Sequence, residues 1–158
     1  MKRLFVMIIA CLLLSAPALS TESKAAGSKK ISKKVITSPN VPPAIGPYSR
    51  AIQAGSLLFV SGAIGMDATG KIVEGGVAAE AEMSLDNIDV LLKAAGVSFD
   101  NVVKTTIFLT DMADFNTVNE VYGKRFSKDP PARSCVAVKA LPRNGKVEIE
   151  VIAIVPEK

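Results

Sequence analysis

The 158-residue chain contains no histidine and no tryptophan, and it has only two cysteines, Cys11 and Cys135. Each absence removes a kind of chemistry. With no histidine and so few thiols, no cluster with metal-ligand spacing can be assembled. A nucleophilic cysteine would lack the imidazole that usually makes it a thiolate, so Cys135 reads first as a small, buried, unreactive thiol. The missing tryptophan, with aromatics at 5%, leaves few platforms on which nucleic-acid bases could stack. There is no phosphate loop of the Walker type and no dinucleotide fingerprint. The glycines of "GAIGMDATG" are merely scattered. No internal repeat or low-complexity block occurs, and the longest apolar run, "LFVMIIACLLL", has 11 residues, whereas a membrane-crossing helix needs roughly 20.

What that run offers instead is a leader. Lys2 and Arg3 precede it and small residues at Ala18 and Ser20 follow it, the pattern of a secretory signal peptide over residues 1–20 with cleavage before Thr21. An uncleaved anchor is the lesser alternative. "IIAC" also resembles a lipoprotein box at Cys11, but three leucines follow the cysteine directly. The expectation is therefore an exported protein, periplasmic or secreted, that keeps Cys135 as its single thiol. No internal disulfide can then form, so stability must come from a core or from association.

Charge sorts by region in the same way. The whole chain carries 19 basic and 15 acidic residues, net +4. Five lysines and one glutamate fall in "TESKAAGSKKISKK", a segment expected to be a disordered linker over 21–34. From Val35 onward there are 12 basic and 14 acidic residues, net −2. The folded domain over 35–158 therefore presents no basic face for nucleic acid.

Past the Pro/Gly-rich loop "NVPPAIGPYSR", "AIQAGSLLFVSGAIG" reads as two short strands. Val77, Ala81, Leu85, Ile88, Leu92 and Ala95 then recur at helical spacing, closed by Gly96. "NVVKTTIFLTD" is strand-like, and "MADFNTVNEVYGKRF" is helical through Phe115, Val118 and Tyr122. "ARSCVAVKAL" and "KVEIEVIAIV" give two final strands, the last apolar enough for a central position, and "KKVIT" adds a further strand at the front. Such mixing without regular βαβ alternation predicts an α+β fold, with two helices packed on one face of a mixed sheet. The other face then needs a cover, which copies of the same chain would supply.

Side chains two apart in a strand share a face. Arg133 and Cys135 therefore point one way, and Glu148 and Glu150 point together on the last strand. If these two strands pair as a hairpin through "LPRNGK", Arg133 and Glu150 come to one cavity. Arg133 offers a rigid fork for a carboxylate. Glu150 is a charge in an apolar strand, which must be paired or held for a purpose. For both, a plain structural ion pair is an equal alternative on residue chemistry alone.

The segments "AIGPYSRAI", "LLFVSGAIGMDATGKI", "LDNIDVLLKAAGVSFDNVVKTTIFLTDMADFNTVNEVYGKRF", "PPARSCVAV" and "VEIEVIAI" strongly resemble the YjgF/RidA (Rid) family of enamine/imine deaminases, over roughly Ile36 to Pro156. The resemblance implies a chorismate-mutase-like α+β fold and a homotrimer with a barrel-like core and sites between subunits. It implies hydrolysis of 2-imino acids such as 2-iminopropanoate, formed from 2-aminoacrylate, to the 2-keto acid and ammonia, with no metal or organic cofactor. Charge and the leader, rather than the resemblance, give the expectation of no nucleic acid and no membrane partner after leader removal. The resemblance assigns Arg133 to the substrate carboxylate and Glu150 to the attacking water. Tyr48, Asn119, Ser61 and Gly62 become pocket residues, and Cys135 a neighbour of the site without a covalent role. Family members often read "SGQIP" where this chain has "SGAIG", so Ala63 and Gly65 are expected to loosen the pocket or alter substrate choice, touching efficiency and specificity more than reaction type. The rival expectation is a non-catalytic ligand-binding or holdase-like trimer in the cell envelope. A ribonuclease role finds little support in a domain of net charge −2.

Overall fold

The computed structural model of the protein describes residues 32–156. The expected leader and nearly all of the expected linker lie outside the described residues. Lys33 and Lys34, placed at the end of that linker, belong to the first strand, β1 (Lys33–Ile36).

The chain continues through β2 (Ala51–Ala54), β3 (Leu57–Ile64), helix α1 (Gly76–Ala94), β4 (Val102–Leu109), helix α2 (Phe115–Arg125), β5 (Ala132–Ala137) and β6 (Val147–Ile154). The strands form one sheet in the order β1-β2-β3-β6-β4-β5. All neighbours are antiparallel except β4 and β5. The α+β class and the mixed sheet are as the sequence predicts, and the very apolar β6 does lie in the middle.

One expectation fails. The last two strands do not form a hairpin, because β4 lies between β5 and β6 and pairs with both. The reason is the α2 crossover, which returns β5 parallel to β4 and so spends that edge of β4. "LPRNGK" carries turn chemistry, but it bridges two strands that are not neighbours.

Helix α1 ends where glycine allows it. Gly96 is left-handed at φ 80°, its N–H donates to the Lys93 carbonyl, and the Val97 N–H donates to the Leu92 carbonyl. This is a Schellman closure, with Val97 buried behind it. The inward stripe of α1 comprises Val77, Ala81, Leu85, Ile88, Leu91 and Leu92. It packs with Val118 and Val121 of α2 and with one face of the sheet, namely Leu58, Val60, Ala63, Ile107, Leu109, Val147, Ile149 and Val151. The opposite face carries Leu57, Phe59, Val136 and Ile154, all exposed. Period-two alternation in β6 separates the faces, with Val147, Ile149, Val151 and Ala153 buried and Glu148, Glu150, Ile152 and Ile154 turned the other way.

Candidate active site

Polar groups collect at two places, and the expected site residues divide between them. The first is a cavity of about 300 Å³ lined by Ile45, Tyr48, Arg50, Ser61, Gly62, Ile64, Met66, Pro142 and Glu148. A bulge in β3 builds its floor, where the register with β6 shifts between Val60 and Ala63. A bulge re-aims the strand locally. Here it frees Ser61 and Gly62 from the ladder with β6. The Ser61 N–H donates to the Arg50 carbonyl at 3.0 Å, and its hydroxyl donates to the Ser49 carbonyl at 2.8 Å. These bonds tie β3 to the loop that presents Tyr48. Gly62 leaves room for what stands over it, since a Cβ there would displace the Glu148 carboxyl.

Glu148 is the acid of this cavity. It is half-buried on the open face of β6. Burial pushes its carboxyl above the usual carboxylate range, and the like charge of Glu150 on the same face adds to the shift. Such an acid is poised to exchange a proton nearer neutrality than a free carboxylate.

The second place is the β5 edge under α2. Arg133 stands opposite Thr105, and its guanidinium carbon lies 4.8 Å from the centroid of the Tyr122 ring and 5.7 Å from that of Phe115. Stacking on two rings holds the planar group while leaving its edge for an anion. Tyr122 is fixed in turn by a 2.8 Å hydrogen bond between its hydroxyl and that of buried Thr105. Asn119 lies on α2 at the spacing that shares a face with Phe115 and Tyr122. Cys135 follows Arg133 on the same side of β5. Burial pushes its thiol up against the opposing pull of Arg133, which disfavours the thiolate.

The structure therefore brings Tyr48, Ser61 and Gly62 together, and separately Arg133, Asn119 and Cys135. It does not bring Arg133 and Glu150 to one cavity within a chain. Thr105, the partner of Arg133, is buried on the helix-covered side with Val151, whereas Glu150 pairs with Thr106 and stands exposed on the open side. Nor does Glu150 line the cavity, where Glu148 stands instead. Both acids share a face by strand period, so the sequence narrows the choice to two without deciding it. Arg50 is the other lining residue that strand pattern misses. Its only trace in the sequence is a charge at the very start of an apolar strand.

Ala63 and Gly65, expected to loosen the pocket, do not line it. Ala63 is fully buried opposite Ile149 in the core, and Gly65 lies so close to the α1 backbone that a Cβ would collide with Glu80.

Comparison with known proteins gives the family. The family model described as Endoribonuclease L-PSP matches residues 38–155. The mouse protein named 2-iminobutanoate/2-iminopropanoate deaminase is 50% identical over 125 residues, covering 78% of this chain and 93% of the relative. Reactive Intermediate Deaminase A, chloroplastic, of Arabidopsis thaliana is 48% identical, covering 83% and 71%. Among solved structures, RidA from an Antarctic Psychrobacter is similar with a TM-score of 0.75 at 41% identity, covering 77% of this chain and 99% of its own. TdcF of E. coli with bound serine has a TM-score of 0.73 at 41% identity, covering 78% and 99%. On its matched residues, its sheet and its relatives, this chain belongs to the YjgF/RidA family.

Proposed function

We propose that the protein hydrolyses small 2-imino acids, such as 2-iminopropanoate, to 2-keto acids and ammonia. In this reading it acts as a homotrimer whose sites lie between subunits. The observation that carries the proposal is the division of the polar groups on one chain: an acid of raised pKa in a small cavity, and an anion-binding arginine on a distant edge. Neither half suffices alone, and a neighbouring copy that apposes the two completes a site. The uncovered apolar face with Leu57, Phe59 and Ile154 supports the same association. Relatives about half identical and named as imine deaminases support the reaction class.

The chemistry asks little of the protein. An imine conjugated to a carboxylate is already electrophilic, so catalysis consists mainly of holding the anion and placing a water. Arg133 of one subunit takes the carboxylate. Glu148 of the next accepts a proton as water adds to the protonated imine (C=NH2+), forming the C–O bond while the C=N π electrons move to nitrogen to give an amine. The same carboxyl then protonates the amine, the C–N bond breaks, the hydroxyl proton is lost, and ammonia and the keto acid leave. This assigns to Glu148 the role that the sequence resemblance placed on Glu150.

The test is a coupled assay in which a pyridoxal-dependent lyase supplies iminopropanoate while semicarbazide competes for it. Wild type is expected to accelerate pyruvate formation, and Arg133→Ala and Glu148→Gln are each expected to fail. Co-expression of the two defective chains should restore part of the activity, because mixed trimers contain sites with neither lesion. No activity in wild type would sink the reaction, and no restoration would sink the shared site. The basic and then apolar start supports export, for which the intact mass of the mature protein should correspond to a chain beginning at Thr21.

A further inference from the structure

Arg50 is a cation without an anion. It is 7% exposed, yet among the described residues no carboxylate pairs with it, and its Nε is a buried donor with no hydrogen-bond partner. It lines the same cavity as Ser61 and Glu148. A guanidinium withdrawn from water without a counter-charge is unfavourable unless something supplies the charge. The core has no use for it, because its neighbour Ala51 fills the apolar position on the covered face and pairs with Val60.

We propose that Arg50 forms a second carboxylate subsite, making this cavity selective for 2-imino dicarboxylic acids over monocarboxylic ones. The inference rests on the deaminase reading above and deepens it. There, the carboxylate beside the imine is held by Arg133 of a neighbouring subunit, and one carboxylate needs only one such fork. A second arginine, lining the cavity itself, asks for a second anionic group at the far end of the side chain. A cavity of about 300 Å³ is at the small end for ligand sites and suits an acid of four or five carbons. The reactions that yield such imines are oxidations of acidic α-amino acids at the amino-bearing carbon.

Binding of stable 2-keto acids to the full-length protein separates this subsite from catalysis. Titration calorimetry would compare 2-oxoglutarate with 2-oxobutanoate. Wild type is expected to favour the dicarboxylate by about tenfold or more, the scale of a charge-assisted hydrogen bond. Arg50→Gln should bring the two within about twofold, and Arg50→Lys, which keeps the charge but not the fork, should retain part of the preference. Equal affinity of wild type for the two acids overturns the proposal whatever the variants do. A preference that survives Arg50→Gln, or an Arg50→Gln variant that loses both acids equally, overturns it too, the latter by making Arg50 the primary carboxylate clamp. The two readings fail separately. Wild type that prefers 2-oxoglutarate but turns over no imine sinks the deaminase reading and leaves the subsite. Turnover of iminopropanoate without any dicarboxylate preference does the reverse.

Discussion

The two faces of the sheet are built from the same strands yet obey opposite rules. On the covered face, Ile107, Val147 and Ile149 are wholly buried under α1 and α2, and the only polar group embedded there at β4, Thr105, is satisfied by Tyr122. On the open face, apolar Phe59 and Ile154 stand in water, and two carboxylates share one strand. A core tolerates polarity only when it is paired. The open face accumulates both unmet apolar area and unmet charge. That contrast puts the packed core on one side of a single layer of backbone and the acid of the cavity on the other, while Arg133 sits at the β5 edge under α2.

The sharpest way to break the contrast is to exchange the acids. Glu148→Gln should lower kcat by about 10²–10⁴-fold, the usual worth of a positioned proton-transfer group. Glu150→Gln should cost far less in the same assay. Equal losses would mean that position on the face matters less than the face itself.

Next in size is the core. Ile149→Ala, one residue from Glu148 but on the other side, should destabilise the protein by about 2–5 kcal/mol, read from denaturant unfolding. Phe59→Ser on the open face should instead weaken association. Sedimentation is expected to show smaller species while the far-UV signal stays native.

Smaller effects concern protons. Glu148 is expected to work as a base, and its pKa is raised, so kcat/KM should fall as pH drops through that raised value. Removing the like charge with Glu150→Gln should move this acid limb to lower pH. Stability runs the other way. A carboxyl with a raised folded pKa holds its proton more tightly when folded. Its contribution is present below the unfolded pKa and is lost as pH rises through the folded one. Glu148→Gln should therefore raise Tm slightly at neutral pH while removing activity, and a lowered Tm would argue that Glu148 is a structural partner.

Much of this was legible beforehand because it is local. The stripe from Val77 to Leu92, the Gly96 stop and the alternation in β6 are periodicities, and a period of 3.6 or 2 assigns faces without tertiary knowledge. What strand meets what strand is not local. "LPRNGK" has hairpin chemistry, but the partner of β6 was decided by the α2 crossover, which periodicity does not encode. The choice between Glu148 and Glu150 escaped for a related reason. Both satisfy the same alternation, and only the β3 bulge, set by pairing across the sheet, puts Gly62 beneath one of them. Arg50 was hidden because a charge at a strand start looks like any edge residue until its surroundings are seen to be closed.

The space over Gly62 also constrains how this protein can change. Position 62 holds no side chain so that position 148 can hold a long one, so the two sites share one volume and their mutational histories are coupled. A Gly62→Ala chain would have to swing the Glu148 carboxyl off position 62, and aspartate at 148 would relieve the contact by drawing the carboxyl back. Single steps at either position therefore move the acid. A lineage that abandons the chemistry should be free to fill position 62 first, which makes an occupied bulge an early mark of a relative that has taken up other work.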